Sequence, residues 1–266
     1  MSSVLYDEMG PRGRRAVAIG SVTGSVILAG IVYVIYRQMD SRGQFNPAIW
    51  SVLQNPDLVQ LLIRGLLATL KVAFVSMILS LTVGVFIAVA RMSRFNSISL
   101  PTAAIIEILR GIPLLLIIFS VYLGAPALGL EVSVFWALVI GLTAYNSVII
   151  GEILRAGINA LPQGQAEAGA AIGLTSTQIL TSILLPQAVS RMLPVMISQL
   201  VIVLKETSLG FIIGYTELLR NGRTAVEYLG GQYSIPIYTT IAAVYILINV
   251  TLSLIATRME RRSSHP

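Results

Sequence analysis

Lys205 and Glu206 interrupt the apolar run Met196 to Leu204 and lead directly into Thr207, Ser208, Leu209 and Gly210. Two charges followed by hydroxyls and a glycine are what an opened or kinked helix would use to turn backbone donors and acceptors toward a polar cavity. The pair has two readings: it serves a cavity or its gate, or it ties helices together. Glu107 and Arg110 lie three residues apart in another apolar stretch, with Gly111 and Pro113 behind them, and Glu152 and Arg155 repeat the spacing. Residues three apart meet on one helical face, so both are expected to be structural ion pairs, with direct contact by Arg110 to a solute as the second reading. Asn146 and Ser147 stand about one turn or more deeper than Glu152 and suit a zwitterionic ligand, because they donate or accept without burying a charge.

Other chemistries fall away on composition. Cysteine is absent and the single histidine, His265, sits in a polar tail, so neither a thiolate nucleophile nor a metal centre can be built and no catalytic residue is assigned. A phosphate-binding loop needs Gly-Lys followed by Ser or Thr, whereas the only two lysines, Lys71 and Lys205, each follow leucine. The chain therefore has no nucleotide site or cofactor of its own. The net charge of +6 comes without a basic patch interleaved with aromatics, which argues against nucleic acid.

These polar groups sit in an exceptionally apolar chain: 55% of the 266 residues are hydrophobic, 11% are charged, and the mean hydropathy is +0.82. A helix needs about 20 apolar residues to cross a bilayer. Six stretches qualify, Ala16 to Tyr36, Gly65 to Ala90, Thr102 to Gly124, Val134 to Leu154, Met192 to Tyr215 and Ile235 to Thr257. The first follows Arg12, Arg14 and Arg15 but is longer than a signal-peptide core, with no clear cleavage site after it, so it is expected to remain as an anchor. With six spans, Arg12, Arg14, Arg15, Arg91, Arg94, Arg191, Arg258, Arg261 and Arg262 fall on one side, which is then cytoplasmic and holds both termini. Arg37, Arg42, Arg64, Arg220 and Arg223 fall on the other side with several carboxylates. Asn46-Pro47 and Asn55-Pro56 should break the connection after the first span, with an interfacial half-helix around Leu58 to Ile63. Lys71 is expected to snorkel toward the outer interface, and Gly20 and Gly24 have the spacing that permits close helix packing. The organisation is a basic segment over residues 1–15, an added span and loop over 16–64, and a membrane domain over 65–260.

Between the fourth and fifth spans, Leu161 to Ser190 is too polar to span and too ordered for a tail. An Ala-rich helix over Gln163 to Ile172 should stop at Gly173 and restart at a Thr175 or Ser176 cap. The stripe Ile179, Leu180, Ile183 and Leu184 should then run to a stop at Pro186. The small residues Ala166, Ala168, Gly169, Ala170 and Ala171 would let this elbow, 161–190, enter a cleft on another protein, with Glu167 at the rim.

Glu167-Ala168-Gly169, three residues, Gly173, nine residues, then Ile183-x-Leu185-Pro186 resembles the EAA loop of importer-type ABC permeases. It departs from the pattern at Gly169, where alanine is usual, a change worth up to about 1 kcal/mol of helix stability. Lys205 to Leu209 resembles the Lys-Asp-Thr-Ser-Leu signature of polar amino acid permeases, with Glu206 for aspartate, and the runs Glu107 to Leu115 and Tyr145 to Ile158 resemble the same family. The likeness covers about Gly65 to Arg258, and the added first span is most similar to the glutamate and glutamine branch.

The resemblance implies an all-α, polytopic permease fold of five core transmembrane helices plus one extra N-terminal helix, in a bacterial cytoplasmic membrane. It implies a pair of ATPase subunits that hold ATP and Mg and grip Glu167, Ala168, Gly169, Gly173 and Pro186. It also implies a second permease, identical or homologous, an extracytoplasmic binding protein, and a polar amino acid, glutamate favoured, passing Lys205, Glu206, Thr207, Ser208, Asn146, Ser147 and Arg110. An ion-driven transporter or channel would leave the elbow unexplained, and a membrane enzyme would need a nucleophile or metal cluster.

Overall fold

The computed structural model describes residues 10–263, with side chains through Met259. The described residues are helical and contain no strand. His265 lies outside them, as do the side chains of Arg261 and Arg262 and the first nine residues of the basic segment. The chain divides after Leu53 into two compact units.

The first unit holds α1, Pro11–Ser41, and the short α2, Pro47–Trp50. Arg12, Arg14 and Arg15 lie in the opening turns of α1 rather than in a separate segment. A Cβ added at Gly20 or Gly24 meets no atom within 4 Å among the described residues. Asn46 accepts a hydrogen bond from the Ala48 amide at 3.0 Å and Pro47 comes next as a first-turn residue, so the Asn-Pro pair starts a helix as well as breaking one.

The second unit begins with α3, Pro56–Arg91, whose N-cap Asn55 accepts from the amides of Asp57 and Leu58. The half-helix expected around Leu58 to Ile63 is therefore the first turns of the span itself: the cap and Pro56 start a helix and nothing in residues 58–65 stops it. Next come α4, Asn96–Gly111, α5, Leu114–Ala127, α6, Val134–Asn159, and the elbow helices α7, Gly164–Ala171, and α8, Ser176–Gln178. The last elements are α9, Leu185–Glu206, entered through π-helical Ile179–Leu184 and left through a 3-10 turn, Thr207–Phe211, then the short α10, Leu218–Leu229, and α11, Ser234–Ser263.

The span expected as one helix over Thr102 to Gly124 is bent by 98° between α4 and α5. Pro113 has no N–H to continue the ladder and disfavours helical backbone before it, so Ile112 is extended, φ −90° and ψ 128°. The bent pair still crosses once. Lys71, midway along α3, lies 5.0 Å over the Phe135 ring near the start of α6, while Gly84 meets Ile150 and Gly151 meets Ile87 farther along both. Thus α3 and α6 run parallel, and residues 92–133 must bring the chain back across between them. Lys71 rests on an aromatic face at this crossing.

Lipid is as apolar as leucine, so these helices are held by close packing more than by the hydrophobic effect. At the α3–α6 crossing a Cβ on Gly84 would stand 2.8 Å from Ile150 Cγ2 and 3.1 Å from the Ser147 carbonyl oxygen. We expect Gly84→Val to cost about 3 kcal/mol through overpacking, read as a lower yield of monodisperse protein on detergent chromatography, with wild-type yield refuting the contact. Around this crossing Ala73, Met77, Ala88, Ile150, Leu154, Met196, Val203 and Leu204 form one buried cluster that brings in α9.

Candidate functional site

The elbow is built by local signals. Gly173 takes φ +82°, the Leu174 amide donates to the Gly169 carbonyl at 3.1 Å and the Gly173 amide to the Ala170 carbonyl at 3.0 Å, which closes α7 as a Schellman motif. Thr175 and Gln178 form a reciprocal capping box that opens the next helix. The arms meet where Gly169 is buried against Ile179 and Ile183, with the Gln187 amide 3.3 Å from the Gln165 side-chain oxygen. A side chain at position 169 would press on Ile179 Cγ1 at 2.9 Å, so glycine here shortens the distance between the arms.

Pro186 does not end the second arm. The preceding turn widens to π geometry, with the Leu185 amide bonding back to Leu180, which makes room for the proline ring, and the Gln187 side chain donates to the Ile183 carbonyl at 2.9 Å. Helix then continues into α9. The opposite face of α7 is bare: Glu167, Ala168, Ala170 and Ala171 are exposed, and Ile172 is 77% exposed.

Inside the unit, α6 and α9 are joined by three side chains. Asn146 is fully buried; its amide donates to Glu206 Oε2 at 2.9 Å and to the Leu142 carbonyl at 3.0 Å, and its oxygen accepts from Gln199 Nε2 at 2.7 Å. Gln199 is not among the residues that motifs or charge point to, although a lone amide seven residues before Glu206 is two turns back on the same helical face. Ser147 is buried but bonds back to the Ala144 carbonyl, and Thr207 to the Leu204 carbonyl. Ser208 likewise donates to the Lys205 carbonyl at 2.7 Å. The charged neighbours diverge: Glu206 turns inward to Asn146, while the Lys205 side chain is exposed and makes no hydrogen bond or ion pair within the described residues.

The two expected ion pairs also diverge. Arg155 and Glu152 pair at 2.9 Å, with a second nitrogen, Nε, at 3.1 Å from both carboxylate oxygens. Glu107 and Arg110 are both exposed and form no ion pair, which corrects that expectation: Arg110 is the next-to-last residue of α4, before the chain turns by 98°, and its guanidinium faces a different space. That space is an open cleft of about 590 Å³ lined by Arg110, Tyr145, Ile149, Glu152, Ile153, Arg155 and Ala156.

Glu217, to which no sequence motif points, is fully buried beyond the end of α9. It caps α10, accepting from the amides of Leu219 and Arg220 at 2.8 and 2.7 Å and from the Tyr245 hydroxyl at 3.1 Å. Burial pushes its carboxyl above the usual range, and these three donors pull the other way. An acidic residue just before Leu218-Leu219 is the available signal, as an N-cap pattern.

A profile described as "Binding-protein-dependent transport system inner membrane component" matches residues 80–265. The glutamate transport system permease protein GluD of Corynebacterium glutamicum is 38% identical over 231 residues, covering 84% of this chain and 83% of that protein. The probable glutamine ABC transporter permease protein GlnP of Bacillus subtilis is 37% identical over 201 residues, covering 75% and 92%. Among solved structures, a chain of an amino acid ABC transporter crystallised with histidines aligns with TM-score 0.70 at 33% identity over 77% of this chain and 94% of that one. An inward-facing MetNI methionine ABC transporter chain aligns with TM-score 0.66 at 22% identity over 79% and 100%, a likeness of fold.

Proposed function

Since the chain belongs to the binding-protein-dependent transport system inner membrane components and is thus a permease subunit of an ABC importer, with ATP hydrolysis on a separate polypeptide, we propose that it imports an acidic or amide amino acid, glutamate first. The observation that carries the acidic preference is the unpaired Arg110 facing the cleft beside the Glu152–Arg155 pair. A carboxylate there gains a charge-assisted, two-pronged partner that a neutral side chain lacks. The names of the glutamate and glutamine permeases to which the chain is similar favour the same class.

Coupling runs through the elbow. Its bare α7 face is narrow enough to enter a cleft on the ATPase, with Ile172 as an apolar anchor and Glu167 at the edge. The capped turn at Gly173 makes α7 and the start of α9 move together, so a displacement imposed on the elbow travels along α9 to Asn146, Glu206 and the break at Thr207. Lys205 faces away from its own subunit and lines the path or meets the second permease, identical or homologous, while a binding protein delivers solute from outside. We assign both termini to the elbow's side, the cytoplasm, because counting the bent pair as one span gives six candidate crossings and an even number returns the chain to the side where it began.

The test is uptake of radiolabelled L-glutamate by the chain expressed with its ATPase and binding protein, against excess unlabelled glutamine, arginine and leucine. Competition by glutamine alone supports the reading, and competition by arginine overturns it. Arg110→Gln is expected to raise the KM for glutamate by about tenfold, the worth of one charge-assisted hydrogen bond, and an unchanged KM removes Arg110 from the path.

A further inference from the structure

We propose that Glu217, Tyr245 and Thr69 are positioning residues for transport, forming a latch that makes the broken end of α9 and the outer helix α10 move as one body with α3 and α11. The inference depends on the chain being an importer permease but not on which amino acid it carries.

The latch is a set of contacts drawn from α3, α10 and α11. Glu217 uses its carboxylate to hold the second and third amides of α10, those of Leu219 and Arg220, and the hydroxyl of Tyr245, which belongs to α11. The first amide of α10, that of Leu218, goes instead to Thr69 Oγ1 of α3 at 3.1 Å, and Thr69 in turn donates to the Gly65 carbonyl. Tyr245 lies beside the side chains of both Thr69 and Thr207, so one phenol touches α3, the cap of α10 and the first residue beyond α9. Asn221, one turn along α10, donates to the Leu61 carbonyl at 3.0 Å.

The packing permits no looser arrangement. A Cβ on Gly65 would lie 2.9 Å from the Leu218 Cα and 3.1 Å from the Glu217 carbonyl oxygen, so the backbones of α3 and α10 are in direct contact. Gly222 presents a similar bare surface to Ile241 of α11. Residues 207–217 between α9 and α10 have the opposite character, a 3-10 turn and then Gly214 at φ +84°. A long helix that is broken at Thr207 transmits a push only if the segment beyond the break is held, and Tyr245 is the side chain that reaches from the held helix to the break. A buried carboxylate with three donors is a costly way to cap one surface helix, and it becomes useful when the cap also joins α3, α10 and α11.

Tyr245→Phe is the decisive variant, because Glu217 keeps both backbone donors, whereas Glu217→Ala would strip α10 of its cap. The assembled transporter is reconstituted in proteoliposomes, with L-glutamate and L-glutamine as solutes, and ATP hydrolysis is measured alongside uptake. Hydrogen–deuterium exchange over residues 212–224 is followed without nucleotide and with ATP trapped by vanadate. In the variant, ATP hydrolysis is expected to continue while solute imported per ATP falls about tenfold, because the gating motion no longer follows the nucleotide cycle. The first turn of α10, slow to exchange in both states of the wild type, should exchange faster in the variant when ATP is trapped. Wild-type stoichiometry, unchanged exchange, or failure of the variant complex to assemble would each overturn the proposal, the last by making the contact structural only. Exchange needs no transported solute, so a wild-type complex that carries neither amino acid counts against the substrate reading alone.

Discussion

Replacing Glu167 with lysine is expected to leave the protein in the membrane at normal abundance and to abolish solute import. Glu167 is exposed in the first turn of α7, makes no bond that holds the elbow together, and sits on the face opposite Gly169, so the fold does not need it. The cost falls on docking: a reversed charge at a desolvated protein interface loses on the order of 3 kcal/mol, about a hundredfold in association. It also sets a positive charge against the positive end of the short helix. The measurement is uptake together with co-purification of the ATPase subunit. Normal uptake by Glu167→Lys would mean that α7 is not the coupling element, and normal uptake by Glu167→Gln would show that small shape rather than charge makes the joint.

The second large effect is expected at Asn146. Asn146→Leu keeps the number and branching of the side-chain heavy atoms and opens no cavity, but it removes the acceptor of Gln199 and the donor to Glu206 at once. A buried polar group left without its partner costs about 1–3 kcal/mol, and here two are stranded between α6 and α9. Melting of the purified protein should drop by several degrees and uptake should fall more than tenfold, since the same chain of side chains links the helix that continues from the elbow to the middle of the bundle. Asn146→Asp probes the sign of the charge: it sets a second carboxylate against Glu206, and uptake that recovers on acidification, as one of the two takes up a proton, is the expected signature. A stable, fully active Asn146→Leu protein would show that Gln199 and Glu206 find other partners.

Much of this protein is legible in its residues. The six apolar stretches, the arginines flanking them, and the stop at Gly173 with the restart at Thr175 are local properties: each depends on a few neighbours and on the cost of an unpaired backbone group in lipid. The missing phosphate loop is equally plain. Gly111 and Pro113 carry the signal for the 98° bend, yet an apolar run reads the same whether its helix is straight or broken. At Pro186 the local rule misleads, because a π turn and the Gln187 side chain supply what the proline withholds.

The residues taken in order are enough to set the helices, their succession across the bilayer and the shape of the elbow. Which polar groups face one another is a matter of packing: Glu206 turns to Asn146 and Gln199 while Lys205 turns outward, Arg155 is paired and Arg110 is not, and Glu217 meets Tyr245. Helix formation is a matter of neighbours three and four apart, whereas these contacts join residues as much as 60 positions apart, so they depend on how whole helices cross at glycines such as Gly84, Gly151 and Gly65.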